Sequence, residues 1–541
     1  MAKQKWDWIK GTPQHLQAYQ DRWSNVTIGE MAADLAARLP DNSVFPNLDG
    51  DWSYKRIYED AKALVFALQE KGLQAGDVIS FQTPNWAEAC VINIAAALGG
   101  FLINPIVIIY RHAELRYMLA DCRAKVFFVC ESFNKFNFVT MMDELRPQLP
   151  DLEHVAYIRG SNADTSYESL IQRGREISGT LPKVNPTDIK LILYTSGTTG
   201  RPKAVLHSHN TLARAAEASL AHWKIAKGAH FLMPSPVTHI SGYSNGLELP
   251  FIGETRTILM ESWNAEAAVK LIDDYHVVGT VAATPFLQEM VNVAVATGKQ
   301  LPSLISFACG GAAVPPEIVQ TANSKLANSF AFRVFGSSEV PLVTLGYQGA
   351  AQAELAATTD GEIIDYEVRI VDDAGRDVPQ GQDGEIWARG PAMMLGYADP
   401  EDTKDAISED GFFKTGDIGF ISPEGALVIS GRKKDLIIRG GENISAKEIE
   451  DVLHQSDLIR EAAVVAMPHA RLGEGICAFV IVKDAACRTE DLLAHVARYG
   501  LAKQKTPERF VFVEDFPRTA SGKIRKDQLR IIIREMMEQE G

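Results

Sequence analysis

Residues 194–205 read YTSGTTGRPKAV and follow the apolar run Leu191, Ile192, Leu193, the pattern of a strand feeding a loop. Four hydroxyls (Thr195, Ser196, Thr198, Thr199), two glycines (Gly197, Gly200) and two cations (Arg201, Lys203) crowd this short stretch. Glycines let the backbone curl so that its N–H groups converge on an anion, the hydroxyls add donors, and Lys203 supplies a mobile positive charge. That is the chemistry of holding phosphate. The loop is not the G-x-x-x-x-G-K-[ST] type, because no Ser or Thr follows a Gly-Lys pair. A Ser/Thr/Gly surface turn is the bland alternative, and the apolar strand before it and the cations after it argue against that.

Such a loop needs a scaffold that presents strand ends. Helical patterns alternate with short β-rich runs through roughly the first four hundred residues, which predicts α/β architecture with mostly parallel or mixed sheets. Candidate strands cover residues 190–194, 278–282, 306–309 and 330–335. Those starting at 190, 306 and 330 each run into a segment with Gly and small or polar residues, where ligands gather in folds of this kind. From Glu367 the texture changes to hairpins, with turns expected at residues 373–375 in VRIVDDAGRDV and at 423–425 in FISPEGALVIS. This marks a β-rich subdomain over about 360–431. After Ser430 a small C-terminal α/β domain is expected, opened by Ser445 and Glu448 as a capping box before a helix with Ile449, Val452 and Leu453 on one face.

Composition narrows the function classes. A chain of 541 residues exceeds what one hydrophobic core usually holds, so several units are expected. The formal net charge is −15 and Lys and Arg are scattered, so the chain carries no nucleic-acid footprint and any polyanion must be held locally. The six cysteines form no C-x-x-C pair and share no ligand spacing with histidine, which reads as reduced thiols in a cytoplasmic protein. The N-terminus, MAKQKWDWIKG, lacks the apolar core of a signal peptide. Residues 89–110 are nearly uncharged and long enough to span a bilayer, but Gly99-Gly100 and Asn104-Pro105 interrupt them. A buried helix, a turn and a strand are expected there, and no integral membrane segment.

The loop YTSGTTGRPKAV resembles the signature loop of the adenylate-forming superfamily, which includes acyl-CoA synthetases, luciferases and peptide-synthetase adenylation domains. The resemblance extends from about Trp52 to Lys526, with further motifs in the family order. CGGAAVPPE (residues 309–317) resembles the turn beside adenine and the acyl group, where Gly310, Gly311 and Ala312 allow close approach of a flat ligand. RVFGSSEVP (333–341) resembles the family's Y-G-x-T-E element. The resemblance implies Phe335 stacking on adenine beside Gly336, Ser338 near the α-phosphate, and Glu339 holding Mg2+ with Thr195. Phe and Ser replace the usual Tyr and Thr, changes that keep a ring face and a hydroxyl. In GFFKTGDIG (411–419) the resemblance makes Asp417 the acceptor for both ribose hydroxyls, and in GRKKD (431–435) it makes Arg432 a second ribose contact and Lys434 the hinge. PRTASGKIRK (517–526) resembles the loop of the catalytic lysine, here Lys523. His239, in MPSPVTHISGY, falls where the family sets a residue beside the acyl group.

The family likeness implies a fold with a large N-terminal domain of mixed α/β sheets (residues 1–431), a hinge at 432–434 and a small mobile C-terminal α/β lid (435–541). It also implies two half-reactions. A carboxylate attacks the α-phosphorus of Mg·ATP, giving acyl-adenylate and pyrophosphate, and the thiol of coenzyme A then displaces AMP. Gly440 and Gly441, in RGGEN, would line the thiol channel after the lid rotates. No acidic residue lies in residues 234–246 to bind an α-amino group, which disfavours amino acids. No carrier domain follows Gly541, which favours free coenzyme A over loading of a carrier protein. MPSPVTHISGYSNGLELP and NPIVIIYRHAELRYML resemble bacterial ligases for cyclohexanecarboxylate and related alicyclic or medium-chain acids. The expected partners are therefore a carboxylic acid, ATP and coenzyme A, with a homodimer left open. A dehydrogenase is disfavoured by the lack of G-x-G-x-x-G after a strand, and a non-catalytic homologue by the intact Lys203, Glu339, Asp417, Arg432 and Lys523.

Overall fold

The computed structural model describes residues 4–162, 166–195, 201–311, 314–328, 330–439, 442–469, 471–499, 501–519 and 522–540. Two sheets organise the first part of the chain. One has seven strands, in the order Gly396–Tyr397, Lys203–Ser208, Ile189–Thr195, Leu102–Pro105, Val78–Gln82, Val126–Cys130 and His154–Ile158. It is parallel from Ile189–Thr195 through His154–Ile158 and antiparallel at the opposite edge. The second is wholly parallel, with five strands ordered Arg256–Leu259, His230–Met233, Gly279–Ala282, Ser306–Gly310 and Ala331–Val334. The expected strands at 190, 278, 306 and 330 are all present, shifted by one or two residues at their ends. The parallel strands read as continuous apolar runs because helices cover both faces; Val126–Cys130, for instance, is buried at every position.

Residues 89–110 form a helix, Glu88–Gly99, then a left-handed Gly100 at φ +67° and the strand Leu102–Pro105. All twelve helical residues are buried in protein, which explains why only one, Glu88 at the first position, carries a charge, and that one is paired with Arg159 at 2.8 Å. Among the described residues no helix is long and apolar enough to cross a membrane.

The third sheet is antiparallel, Glu367–Val371, Gly384–Arg389, Phe413–Ile421 and Leu427–Arg432. Its turn at 423–425 closes as expected, with Gly425 at φ +85° donating to Ser422 O at 3.0 Å. The earlier turn also closes, but its return limb is a single bridge from Val371 to Asp377 rather than a strand. Pro379 removes the donor a longer ladder would need, and Glu367–Val371 pairs with Gly384–Arg389 instead.

A short turn, Lys433–Asp435, separates this sheet from a fourth one made of Glu442–Ile444, Ile437–Arg439, Gly473–Val482, Ile459–His469 and Arg509–Phe512. Its long antiparallel pair sends alternate residues to opposite faces. Val464 and Ala478 pack with Ile449 and Val452 of the helix Ala446–His454, while Val465 and Phe479 pack with Leu529 and Ile533 of the helix Lys526–Glu540. The expected capping box is half formed. Ser445 Oγ accepts from Glu448 N at 3.4 Å, but the Glu448 carboxylate turns to Lys505 Nζ at 2.7 Å, because a cation holds it more strongly than one neutral N–H.

Candidate active site

The antiparallel pairing of Ile189–Thr195 with Lys203–Ser208 brings the two ends of the expected phosphate loop into register, Thr195 opposite Lys203. Ser196, Gly197, Thr198, Thr199 and Gly200 lie outside the described residues, as do Ala312, Gly440 and Gly441. Thr195 Oγ1 lies 3.4 Å from Glu339 Oε1, and the same carboxylate oxygen accepts from Tyr397 OH at 2.9 Å. Lys203 Nζ sits 5.0 Å from the centre of the Tyr397 ring and 3.2 Å from Asp402 Oδ1. One tyrosine thus links the loop lysine to the carboxylate expected to hold a metal. Tyr397 and Asp402 escaped the motif reading because their partners are roughly sixty and two hundred residues away in sequence.

Glu339 follows the strand Ala331–Val334 on a tight turn. Gly336 is required there, since a Cβ would fall 2.4 Å from Leu342 N. Ser338 is buried, and its carbonyl accepts from His207 Nε2 at 2.7 Å. Burial pulls the His207 pKa down to about 4, so the ring is neutral and donates to that carbonyl while Nδ1 meets Thr211 Oγ1 at 3.0 Å. His207 is a third residue that no motif flagged, and it fixes the backbone immediately before Glu339. Phe335 N donates to the Thr344 hydroxyl at 2.7 Å, anchoring the ring expected to face adenine. Gly310 closes its strand where a Cβ would meet Val334 O at 2.5 Å.

Asp417 and Arg432 are directly opposite on adjacent antiparallel strands, so register alone makes them neighbours. Arg432 Nε donates to Asp417 Oδ1 at 2.6 Å. Burial raises the Asp417 pKa and Arg432 opposes that rise, while the carboxylate in turn raises the pKa of the guanidinium.

Lys523 arrives from the far end of the chain on a turn where Gly522 N donates to Thr519 O at 2.9 Å and Thr519 N to Lys523 O at 2.7 Å. Its side chain lies over Gly311, with Cε 3.5 Å and Nζ 3.9 Å from where a Cβ would sit, and Gly311 has φ +81°. A larger residue would be both strained and pressed against the ammonium. Burial pulls the Lys523 pKa to about 8, with Arg432 pushing it further down while Asp417 and Glu339 oppose. The same environment reaches His239, whose pKa burial lowers to about 4 with help from Lys523. His239 is therefore neutral, and its Nδ1 meets Ser241 Oγ at 3.2 Å. Lys434 lies in the turn between the third and fourth sheets, where its carbonyl accepts from Arg530 at 3.2 Å.

A cleft of about 1930 Å³ runs between the fourth sheet and the rest, with Thr195, Gly311, Phe335, Asp417, Arg432 and Lys523 on its wall. A hydroxyl, an aromatic ring, a carboxylate paired with an arginine and a partly buried lysine line one space. Oxygen ligands from Glu339 and Thr195 suit a hard cation such as Mg2+, which commonly takes one or two carboxylates and completes its shell with phosphate and water. Among the described residues no cluster of three His, Cys, Asp or Glu could hold a metal by itself.

Comparison with known proteins agrees with this geometry. The AMP-binding enzyme family model matches residues 33–398, and its C-terminal domain model matches residues 448–523. The medium-chain fatty-acid–CoA ligase of Escherichia coli K12 is 33% identical over 517 residues, covering 94% of this chain and 91% of that protein. The indoleacetate–CoA ligase of Aromatoleum aromaticum is 31% identical, covering 94% and 97% respectively. The ATP-bound structure of MatB from Rhodopseudomonas palustris superposes with a TM-score of 0.83 at 25% identity, covering 94% of this chain and all of that one. With a family model spanning more than half its length, the chain belongs to the AMP-binding enzymes of the adenylate-forming superfamily, among the AMP-forming acyl-CoA synthetases.

Proposed function

We propose that this enzyme activates a medium-chain or alicyclic carboxylic acid with ATP and transfers the acyl group to coenzyme A. The observation that carries the reading is the seating of Lys523 over Gly311, within electrostatic reach of Asp417, Glu339 and His239. In the first step the carboxylate oxygen bonds to the α-phosphorus as the bond to pyrophosphate breaks. The Lys523 ammonium offsets the negative charge that gathers as two anions approach, a contribution that depends on its being fixed in place beforehand. Asp417 and Arg432 hold the ribose, Phe335 the adenine, and Lys203 with the loop at 195–200 the outgoing phosphates. Glu339 and Thr195 would hold Mg2+, which supplies neutralisation of phosphate charge. In the second step the sulfur of coenzyme A bonds to the acyl carbon and the bond to AMP breaks. The reading assigns residues 1–431 and 435–541 as the two moving bodies, 432–434 as their hinge around Lys434, and Gly440 and Gly441 to the thiol channel.

Neutral acids fit the acyl side. His239 is uncharged, and Glu248, the first acid beyond the window 234–246, is tied to Lys190 in the core, so residues 234–248 offer no free carboxylate to an α-ammonium group. Both straight-chain and ring-bearing acids occur among the relatives. The test is pyrophosphate exchange across linear, branched, aromatic and alicyclic acids, followed by thioester assay with coenzyme A. Medium-chain and cyclohexyl acids should give the highest kcat/KM; preference for an amino acid, or exchange without any thioester, would overturn the assignment.

A further inference from the structure

Residues 4–25 precede the stretch matched by the family model, which begins at residue 33. They are tied to the body through a 3-10 helix, Gln14–Arg22, that is mostly exposed but sends Leu16 and Tyr19 into the core, and through the buried Trp23 just after it. Three of their side chains converge on one loop. Trp8 Nε1 donates to Ala398 O at 3.1 Å, His15 Nε2 to Met394 O at 2.9 Å, and Trp23 Nε1 to Pro391 O at 2.9 Å. The indole of Trp8 also backs Gly396, where φ is +147° and a Cβ would come within 2.9 Å of the ring. Indole N–H groups are donors only, on side chains with two rotatable bonds, so each pair fixes both a carbonyl and the plane of its peptide.

The other side of that loop, residues 391–398, faces the phosphate machinery. Met394 N donates to Glu339 O at 2.8 Å, and Tyr397 OH to Glu339 Oε1 at 2.9 Å. Leu395 N and Ala398 N donate at 2.8 Å to Leu206 O and Ala204 O, on the strand that begins with Lys203. A second contact reaches the same site from behind: Lys5 pairs with Asp121, which accepts from Tyr194 OH at 2.8 Å, one residue before Thr195.

We propose that residues 4–25 are a brace that sets the positions of Glu339 and Lys203 through the loop 391–398, making Trp8, His15 and Trp23 positioning residues for the adenylation half-reaction. The inference rests on the reading of Glu339 and Lys203 as metal and phosphate residues. A brace of this kind acts on one half-reaction, because thioester formation from a finished adenylate has no outgoing pyrophosphate to hold.

The test uses the full chain with Trp8→Phe and Trp23→Phe, alone and together, which keep an aromatic ring while deleting the N–H and the pyrrole part of the indole. In the double variant, amide hydrogen exchange of a peptide covering 391–398 should quicken by about tenfold. Pyrophosphate exchange should fall by about tenfold, with the Mg2+ concentration for half-maximal rate raised about threefold, because small displacements of positioned groups are costly. Thioester formation from supplied acyl-adenylate should stay within about twofold. Trp8→Phe alone, at a residue that keeps 38% of its surface exposed, should fold as the parent does and show a smaller change of the same sign. Unchanged exchange at 391–398, or equal loss in both half-reactions, would overturn the brace. Glu339→Gln separates the two ideas: an unaltered Mg2+ requirement there would overturn the site reading, whereas the exchange result stands independently of it.

Discussion

Two ion pairs in this enzyme are built from similar parts and do opposite work. Lys190 and Glu248 are both fully buried, on the strand leading to the phosphate loop and on the helical segment that follows His239. Lys190 also meets Tyr243 OH at 2.9 Å and Asn93 Oδ1 at 3.2 Å, and Tyr243 OH donates to Asn93 Oδ1 at 2.5 Å, so the cluster closes on itself. Asp417 and Arg432 stand at the cleft, with Asp417 buried but 47% of the Arg432 side chain exposed. Among the described residues Asp417 takes one side-chain hydrogen bond, from Arg432 on Oδ1. A carboxylate with two acceptor oxygens and one donor has capacity left for a ligand. A closed pair holds the scaffold together; an open pair leaves an acceptor at the cleft, free for the proposed ribose contact.

The sharpest way to break this contrast is to remove one charge from the closed pair. Lys190→Met strands Glu248 in the core and should cost about 3–5 kcal/mol of stability, measured by denaturant unfolding. Burial already holds the Lys190 pKa well below its ordinary value, a sign of how much desolvation the pair must offset. Lys190→Met with Glu248→Leu should recover most of the loss, since removing both charges leaves neither uncompensated. A double variant no more stable than the single would refute the closed-pair account.

At the open site the expected effect moves from stability to rate. Lys523→Ala should slow adenylation by about 10²–10³-fold with little change in unfolding midpoint, while thioester formation from supplied acyl-adenylate persists. Equal loss of both steps would remove Lys523 from its role. Asp417→Asn keeps the shape and one acceptor but loses the charge, and should raise KM for ATP by about tenfold, the scale of one charged hydrogen bond. An unchanged KM would mean that the open oxygen serves no ligand.

The smallest effect is a pH limb. The Lys523 pKa is lowered from 10.5 to about 8, so its cation is half lost at about pH 8 and adenylation should decline above that point. Stability runs the other way. Between about 8 and 10.5 the unfolded chain keeps a proton that the native one has released, so this group adds stability as pH rises through that window. Lys523→Ala should erase the alkaline limb from whatever adenylation remains.

Much of this was legible in the sequence, because the chemistry sits in short segments whose residue types are dictated locally. The strand Ile189–Thr195, the hairpin around Gly425 and the interrupted apolar run at 89–110 follow from periodicity, breakers and turn residues. The shortfalls are of another kind. Glu448 left its capping box because Lys505, from a distant segment, offered a stronger partner. The return limb at 377 did not extend because Pro379 lacks the N–H that a longer ladder would need.

By itself the sequence determined which groups are available: a glycine and hydroxyl loop, an acid in a Gly-Ser-Ser segment after a strand, an arginine 15 residues after Asp417, and a lysine in a Ser-Gly segment near the C-terminus. Only the tertiary structure decided that Lys523 rests over Gly311, that Tyr397 links Lys203 to Glu339, and that Trp8, His15 and Trp23 grip the loop behind them. The physical reason is range. Backbone propensity and turn chemistry act over a few residues, whereas the pairing of a buried donor with a distant carbonyl is set by how whole elements pack, and leaves no periodic trace in the chain.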